Sequence, residues 1–174
     1  MTHDVIEPTF IDSETPTNDF GSRGRQLMSD MHSAIDRLAD ELVTPMVPGE
    51  VAEWLANVYK AAELASALLW RQLESVHNAE YARIVEVDPE LFRRVEQMKA
   101  KDRDCVEELA KLLDRIKQLQ EEAQVDEPDE AAMKESLDAV IEQGLGFVNH
   151  ARMQGKARET WLAEAYYRDR GVGD

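Results

Sequence analysis

The hydrophobic residues of this chain recur at steps of three and four along four long stretches, which is the spacing of one face of an α-helix. The first predicted helix runs from about Arg23 to Val43, and Pro45 and Pro48 end it because proline lacks the amide donor a helix needs. The second runs from about Glu50 to Glu86 and ends at the joint Asp88-Pro89-Glu90. Its predicted apolar stripe contains Val51, Leu55, Val58, Ala62, Ala65, Leu69, Leu73 and Val76.

The third stretch has the most regular pattern and extends from that joint to about Gln124. Asp88 is predicted to cap it, with Pro89 as its first residue. Its core positions step by four and three without exception, and Asp102 is the only charged residue among them. These positions are Leu91, Val95, Met98, Asp102, Cys105, Leu109, Leu112, Ile116, Leu119 and Ala123.

The fourth helix is predicted to start at Pro128, after a second acidic joint, and to contain Gly144 and Gly146. Two glycines inside a helix indicate a kink, a split or a close helix contact. The fold class that follows is all-α, an antiparallel up-down-up-down four-helix bundle. We expect an extended N-terminal arm over residues 1–22, the bundle over 23–170 and a short tail over 171–174.

Composition narrows the class of partner. The chain of 174 residues carries 36 acidic against 20 basic side chains, a formal net charge of −16. This charge disfavours nucleic acid and anionic membrane surfaces as partners. The chain has neither a membrane-length apolar run nor a signal-peptide pattern at its N-terminus, and Cys105 is its single cysteine. We therefore expect a cytoplasmic protein and an inert core thiol.

Helix counting indicates which polar residues meet inside the bundle. With the chain reversing at Asp88, His77 and Asp102 fall at similar heights, and either His150 or Gln154 returns to that level. The same counting places His32 more than about 15 Å away along the axis. Ordinary roles remain open for these residues: a hydrogen-bonded interface histidine at His77, and at Asp102 a polar group that fixes register or an outward-facing ion pair.

Three segments resemble those of hemerythrin-like domains. They are Leu68-Leu69-x-x-x-Leu73-x-x-Val76-His77 with the following joint, Val95-Glu96-Gln97-Met98-Lys99-Ala100-Lys101-Asp102, and the ending that starts Trp161-Leu162-Ala163-Glu164. The resemblance covers about residues 26–174. It implies a four-helix bundle that holds two irons through histidine and carboxylate ligands and binds or senses oxygen.

Position by position, the resemblance implies that most of the ligands are replaced. His77 and His32 match ligand positions, but Tyr81 stands where an acid is expected, with Glu80 one position off. Asp102 and Val106 stand where a histidine pair is expected. In the last helix either His150 with Gln154, or Gln154 with Arg158 in the alternative register, occupies the ligand positions. The residual candidates for metal ligation are His77, Asp102, His150 and His32, with Glu74 as a further acid for a single site.

The preferred hypothesis is a non-catalytic bundle without a cofactor that acts through a protein partner or self-association, as an interaction, regulatory or assembly module. One alternative is an oxygen-sensing or oxygen-binding bundle that holds iron through the reduced ligand set. A second alternative is an acidic mimic of nucleic acid. No complete catalytic motif is present in the sequence, which favours a protein that is not an enzyme.

Overall fold

A computed structural model of the chain describes residues 19–47, 49–124 and 130–168. This part of the chain is all α-helical. The helices are α1 (Asp19–Val43), α2 (Val51–Gln72), α3 (Asn78–Val87), α4 (Phe92–Ala123) and α5 (Glu130–Arg168). A π-helical turn, Leu73–His77, joins α2 to α3 in one continuous rod, and a 3-10 turn, Pro89–Leu91, leads into α4. No described helix combines the length and the apolar content needed to cross a membrane.

The four rods form a bundle in which each has two principal neighbours. The α1 helix packs against α2 and α5, and α4 packs against the same two helices from the opposite side. The predicted all-α bundle is thereby confirmed. The α1 helix begins at Asp19, so residues 19–22 of the predicted arm are helical. The rest of that arm, the acidic joint at 125–129 and the predicted tail lie outside the described residues.

Both connections between the first three rods follow from local sequence. Gly49 has φ of +87°, a backbone conformation that side chains with a Cβ rarely adopt, and it turns the chain between α1 and α2. At the next joint the Oδ1 atom of Asp88 accepts a hydrogen bond from the amide of Glu90 at 3.0 Å. Pro89 is the first residue of the 3-10 turn, so the predicted cap at this joint is confirmed.

The last helix is not split at Gly144 and Gly146, because α5 is continuous through both residues. The reason for Gly144 is close packing. A Cβ atom placed there would lie 2.6 Å from Cδ1 of Leu42, a buried residue of α1. Gly146, by contrast, is exposed and would meet nothing within 4 Å. Gly144 therefore lets α5 approach α1, which is the close-contact interpretation of the sequence.

The buried apolar residues divide into two clusters along the bundle axis. The larger cluster fills the half that contains the α1–α2 connection and includes Leu38, Leu55, Leu109 and Val140. The smaller one lies at the other end and consists of Tyr81, Ile84, Val95, Met98 and Trp161. Along α4 the two clusters are separated at Asp102, which follows Met98 and precedes Cys105.

Candidate functional site

The π-helical turn decides which side chains of the second rod enter the core between the two clusters. Up to Gln72 the buried positions follow steps of three and four, but the next buried residue is His77, a step of five. The extra residue in a π turn rotates everything after it about the helix axis. Val76, which the regular pattern predicts in the core, is only partly buried, and the buried residues that follow are His77, Tyr81 and Ile84.

Asp102 is the centre of the polar contacts made at this level. Its Oδ2 lies 2.9 Å from Nδ1 of His77 and accepts a second hydrogen bond, also of 2.9 Å, from the hydroxyl of Tyr81. Its Oδ1 accepts a longer bond, 3.4 Å, from Nε2 of Gln154. Asp102 is only 6% exposed, so this carboxylate is held inside the protein by three side chains from two other rods.

These contacts set the charge of Asp102. Burial by itself raises the pKa of a carboxyl group, but the bonds from His77, Tyr81 and Gln154 favour the ionised form and lower the pKa of Asp102 below its ordinary value. The same burial, together with the adjacent Asp102 charge, raises the pKa of the Tyr81 hydroxyl. The site therefore holds one carboxylate and one neutral phenol that donates to it.

The hydrogen bond to Asp102 also fixes the tautomer of His77. An ionised carboxylate only accepts, so the hydrogen of the imidazole must be on Nδ1. In the neutral ring Nε2 then presents a lone pair. Nε2 is buried and has no hydrogen-bond partner among the described residues. It is a buried polar atom without a described partner, in a ring that is 6% exposed.

Arg158 lies beside these residues and is the most buried charged side chain described, at 2% exposure. Its Nη1 donates to Oε2 of Glu80 at 2.7 Å, and its Nη2 contacts the sulfur of Met28 at 3.9 Å. We call the group His77, Tyr81, Asp102, Gln154 and Arg158, with Glu80 as the partner of Arg158, the polar layer. It crosses the bundle between the two apolar clusters, and all of its residues except Glu80 are buried.

A small cavity borders the polar layer. Its volume is about 50 Å³, and its lining includes His77, Asp102, Gln154 and Arg158 together with apolar side chains of α1 and α2. Gly155 on α5 forms part of the wall. Two exposed residues, His32 and Glu159, also line the cavity, so it reaches the surface between α1 and α5.

The structure brings together some of the predicted candidates and separates others. His77 and Asp102 meet as helix counting predicts, and of the two candidates on α5 it is Gln154 that contacts Asp102. His150 instead pairs with Glu108 at 2.9 Å in a half-exposed position. Within the described ranges no group of three or more histidine, cysteine or acidic side chains is placed to hold a metal ion.

His32 lies closer to the polar layer than helix counting predicts, since it lines the same cavity as His77. The counting assumed that α1 ends opposite the start of α2. In the structure α1 lies along α5 from the Leu42–Gly144 contact to the Met28–Arg158 contact, and this register places His32 level with Gln154, which bonds to Asp102. Side chains of α1 also lean toward its N-terminus, which brings them nearer to His77.

The donor set does not fit the di-iron centre that the resemblance implies. Two irons need several histidine and carboxylate donors, including a bridging carboxylate. Here Oδ2 of Asp102 already accepts two hydrogen bonds, His77 offers one nitrogen, and the Arg158 guanidinium brings a positive charge to the same cavity. Burial raises the pKa of the Cys105 thiol to about 12, so in the metal-free protein the thiol stays protonated.

Two members of the polar layer were not identified as functional in the sequence. Tyr81 and Arg158 stand at positions where the resemblance implies ligands, and there they counted only as replacements. The signal was available in the spacing, because Tyr81 and His77 lie four apart and so share one helix face. Glu80 was judged one position off that face, and its role as the partner of Arg158 required the packing of α5 to be known.

The chain matches no protein-family model, no curated protein sequence and no solved structure. The likeness to hemerythrin-like domains therefore stays a prediction.

Proposed function

We propose that this chain is a non-catalytic bundle of hemerythrin-like architecture that acts as an interaction, regulatory or assembly module. The observation that supports it best is the polar layer, whose side chains are already bonded to one another at the level where a metal centre would be expected. Asp102 accepts from three side chains, and Arg158 is paired with Glu80. A layer of this kind fixes which helices pack together and in what register, as buried polar groups do in other helical assemblies.

The exposed apolar residues of the surface favour binding to a protein partner or to a second copy of the chain. Trp70 on α2 is 52% exposed, and Val87 and Phe92, which flank the Asp88–Leu91 joint, are 54% and 53% exposed. Large aromatic side chains are enriched at the centres of protein interfaces. The net charge of −16 favours a partner with a basic surface over nucleic acid or an anionic membrane.

Metal content tests the proposal directly. The full chain, expressed with added iron and then dialysed, should contain no iron above background by elemental mass spectrometry while its circular dichroism stays helical. Two irons per chain would overturn the proposal. About one metal ion per chain, lost in His77→Ala, would support the alternative of a mononuclear oxygen-sensing site.

The interaction half of the proposal has its own measurement. Sedimentation velocity over a range of concentrations distinguishes a second copy of the chain from a different protein partner, and any self-association of the wild type should be weakened by Trp70→Lys. Met153→Lys is the matched control, since Met153 is an even more exposed apolar residue, at 73%, on a different helix. An equal effect of both substitutions would argue against a specific surface at Trp70.

A further inference from the structure

Arg158 and Met28 meet beside the polar layer in a contact that gives a buried cation a poor acceptor. Nη2 of Arg158 lies 3.9 Å from the sulfur of Met28, and within the described ranges this thioether is the one acceptor that the nitrogen contacts. A thioether accepts hydrogen bonds weakly, whereas a guanidinium bonds strongly to oxygen. We infer that Met28 is a site of reversible oxidation by a peroxide, at which Arg158 holds the oxygen that is added to the sulfur.

The oxidant has a route to this contact. Met28 is partly exposed, and both Met28 and Arg158 line the cavity of about 50 Å³ beside the polar layer. One water needs about 10–15 Å³ of such volume, so the cavity has room for the two oxygen atoms of hydrogen peroxide. Because exposed residues also line the cavity, a peroxide can approach from the surface without unfolding of the bundle.

The reaction transfers one oxygen atom and oxidises the sulfur by two electrons. A lone pair of the sulfur attacks one peroxide oxygen, and the S–O bond forms as the O–O bond breaks. The departing oxygen takes the proton of the transferred one and leaves as water, so the thioether becomes a sulfoxide. Negative charge develops on the departing oxygen, and the guanidinium of Arg158, adjacent to the sulfur, stabilises that charge.

The product gives the polar layer a new acceptor. A sulfoxide oxygen on the side of the sulfur that faces Nη2 accepts a charge-assisted hydrogen bond from Arg158 in place of the weak contact. Nη1 of the same guanidinium already donates to Glu80, so the oxidation adds a second oxygen acceptor to this buried cation. The inference does not depend on the proposed interaction function, because oxidation is measured on the isolated chain.

The methionines of the chain supply the controls for the test. Met46 is the matched control, since it is also partly buried, packs against the larger apolar cluster, and has no described hydrogen bond to its sulfur. The full chain is treated with hydrogen peroxide, and peptide mass spectrometry measures the rate of sulfoxide formation at each methionine. We expect Met28 to be oxidised about tenfold faster than Met46, the effect of one charge-assisted hydrogen bond in the transition state. A rate at Met28 no higher than that at Met46 would overturn the inference.

The stereochemistry of the product is a second readout. An oxygen held by Arg158 lies on one side of the sulfur, so one sulfoxide epimer should predominate at Met28. The two classes of methionine sulfoxide reductase each reduce one epimer, and they should therefore reduce Met28 sulfoxide to unequal extents. Met153, which is 73% exposed, should form both epimers in similar amounts. Equal reduction of Met28 sulfoxide by the two reductases would contradict a role for Arg158 in holding the oxygen.

Two arginine variants complete the experiment. Arg158→Leu should remove both the faster rate and the epimer preference at Met28, whereas Arg152→Leu, at an exposed position on the same helix, should retain them. Unchanged oxidation of Met28 in Arg158→Leu would also overturn the inference. Because Met28 and Met46 are compared within the wild-type chain, the test stands even if Arg158→Leu does not fold.

Discussion

His77 and Asp102 are 25 positions apart in the chain, and in the folded protein Nδ1 of one lies 2.9 Å from Oδ2 of the other. Both residues are buried, and their contact is possible only because α4 packs against the second rod. The pair links two helices at the height where the apolar core is divided. Its removal should therefore affect the stability of the whole bundle and not only the local structure.

Asp102→Leu is expected to lower the free energy of unfolding by about 3–5 kcal/mol, because it leaves buried donors on His77, Tyr81 and Gln154 without an acceptor. Asp102→Asn keeps one acceptor oxygen and should cost less, about 1–3 kcal/mol. Urea denaturation measures both. Asp104→Asn, at an exposed position on the same helix, is the control and should change stability by under about 0.5 kcal/mol. If Asp102→Leu were as stable as the wild type, the polar layer would not contribute to holding the bundle.

The lowered pKa of Asp102 predicts part of the response to acid. In the unfolded chain this carboxyl takes up a proton near its ordinary pKa of about 4, whereas in the folded protein it does so only at lower pH. The stability it contributes is therefore present above about pH 4 and is lost as the pH falls through the folded-state value. Urea titrations between about pH 5 and 2 should show a shallower loss of stability in Asp102→Asn than in the wild type. Identical slopes in the wild type and Asp102→Asn would contradict the lowered pKa of Asp102.

At alkaline pH the stability should change in the opposite direction, and two other residues are responsible. The raised pKa values of Tyr81 and Cys105 mean that the folded protein keeps protons that the unfolded chain releases above about pH 9. Stability should fall as the pH rises beyond that point. Tyr81→Phe and Cys105→Ala should each reduce this fall, and Tyr81→Phe should also cost about 1 kcal/mol at neutral pH through its lost bond to Asp102. Denaturation at pH 7 and above pH 9 separates the two effects, and an alkaline slope unchanged in both variants would contradict the prediction.

Removing Glu80 and removing Arg158 from their ion pair should reduce the stability of the protein by different amounts. The side chain of Arg158 is 3% exposed and that of Glu80 is 32% exposed, so Glu80→Gln leaves a buried cation unpaired, whereas Arg158→Met leaves a carboxylate that water can reach. We expect Glu80→Gln to be the more destabilising change, by about 3 kcal/mol, and the double variant to recover part of that loss. A double-mutant cycle by urea denaturation measures the coupling.

The exposed pair Arg94–Glu164 is the matched control for this cycle, with side chains 53% and 59% exposed and 3.6 Å between the charged atoms. Its coupling energy should be under about 1 kcal/mol. Equal coupling in the two pairs would show that the burial of Arg158 does not matter to stability.

Alanine substitutions at Gly144 and Gly146 of α5 are predicted to have opposite effects on stability. Gly144→Ala should destabilise the bundle by about 1–3 kcal/mol, because its Cβ would meet the buried side chain of Leu42. Gly146→Ala should stabilise it by up to about 1 kcal/mol, since alanine is the better helix former and the site is open. Thermal unfolding followed by circular dichroism measures both. A stabilising Gly144→Ala would mean that α1 and α5 are not in close contact there.

The architecture was predictable because the apolar periodicity of α1 and α4 is regular and proline marks the joints. In α4 the periodic pattern even identified Asp102 as a polar residue inside the core. The prediction was less accurate where the helix itself departs from α geometry. Val76 was assigned to the apolar stripe and is only partly buried, because no residue type indicates the π turn that turns His77 into the core in its place.

The partners within the polar layer depend on the packing of separate helices and were only partly predictable. Counting residues from the Asp88 joint placed His77, Asp102 and Gln154 at one height, since a helix rises by a constant amount per residue. It could not choose between His150 and Gln154, which lie one turn apart on α5. It also misplaced His32, because the counting ran through the α1–α2 connection, whereas the packing of α1 on α5 determines the height of His32.

The π-helical turn at Leu73–His77 holds one residue more than a regular helix needs between the buried residues Gln72 and His77. Removing a single residue from that turn would change the step between these two residues from five to four, so His77 and Tyr81 would keep their place on the core face. The turn therefore absorbs one extra residue locally, and the helix on either side of it presents the same buried side chains with or without that residue.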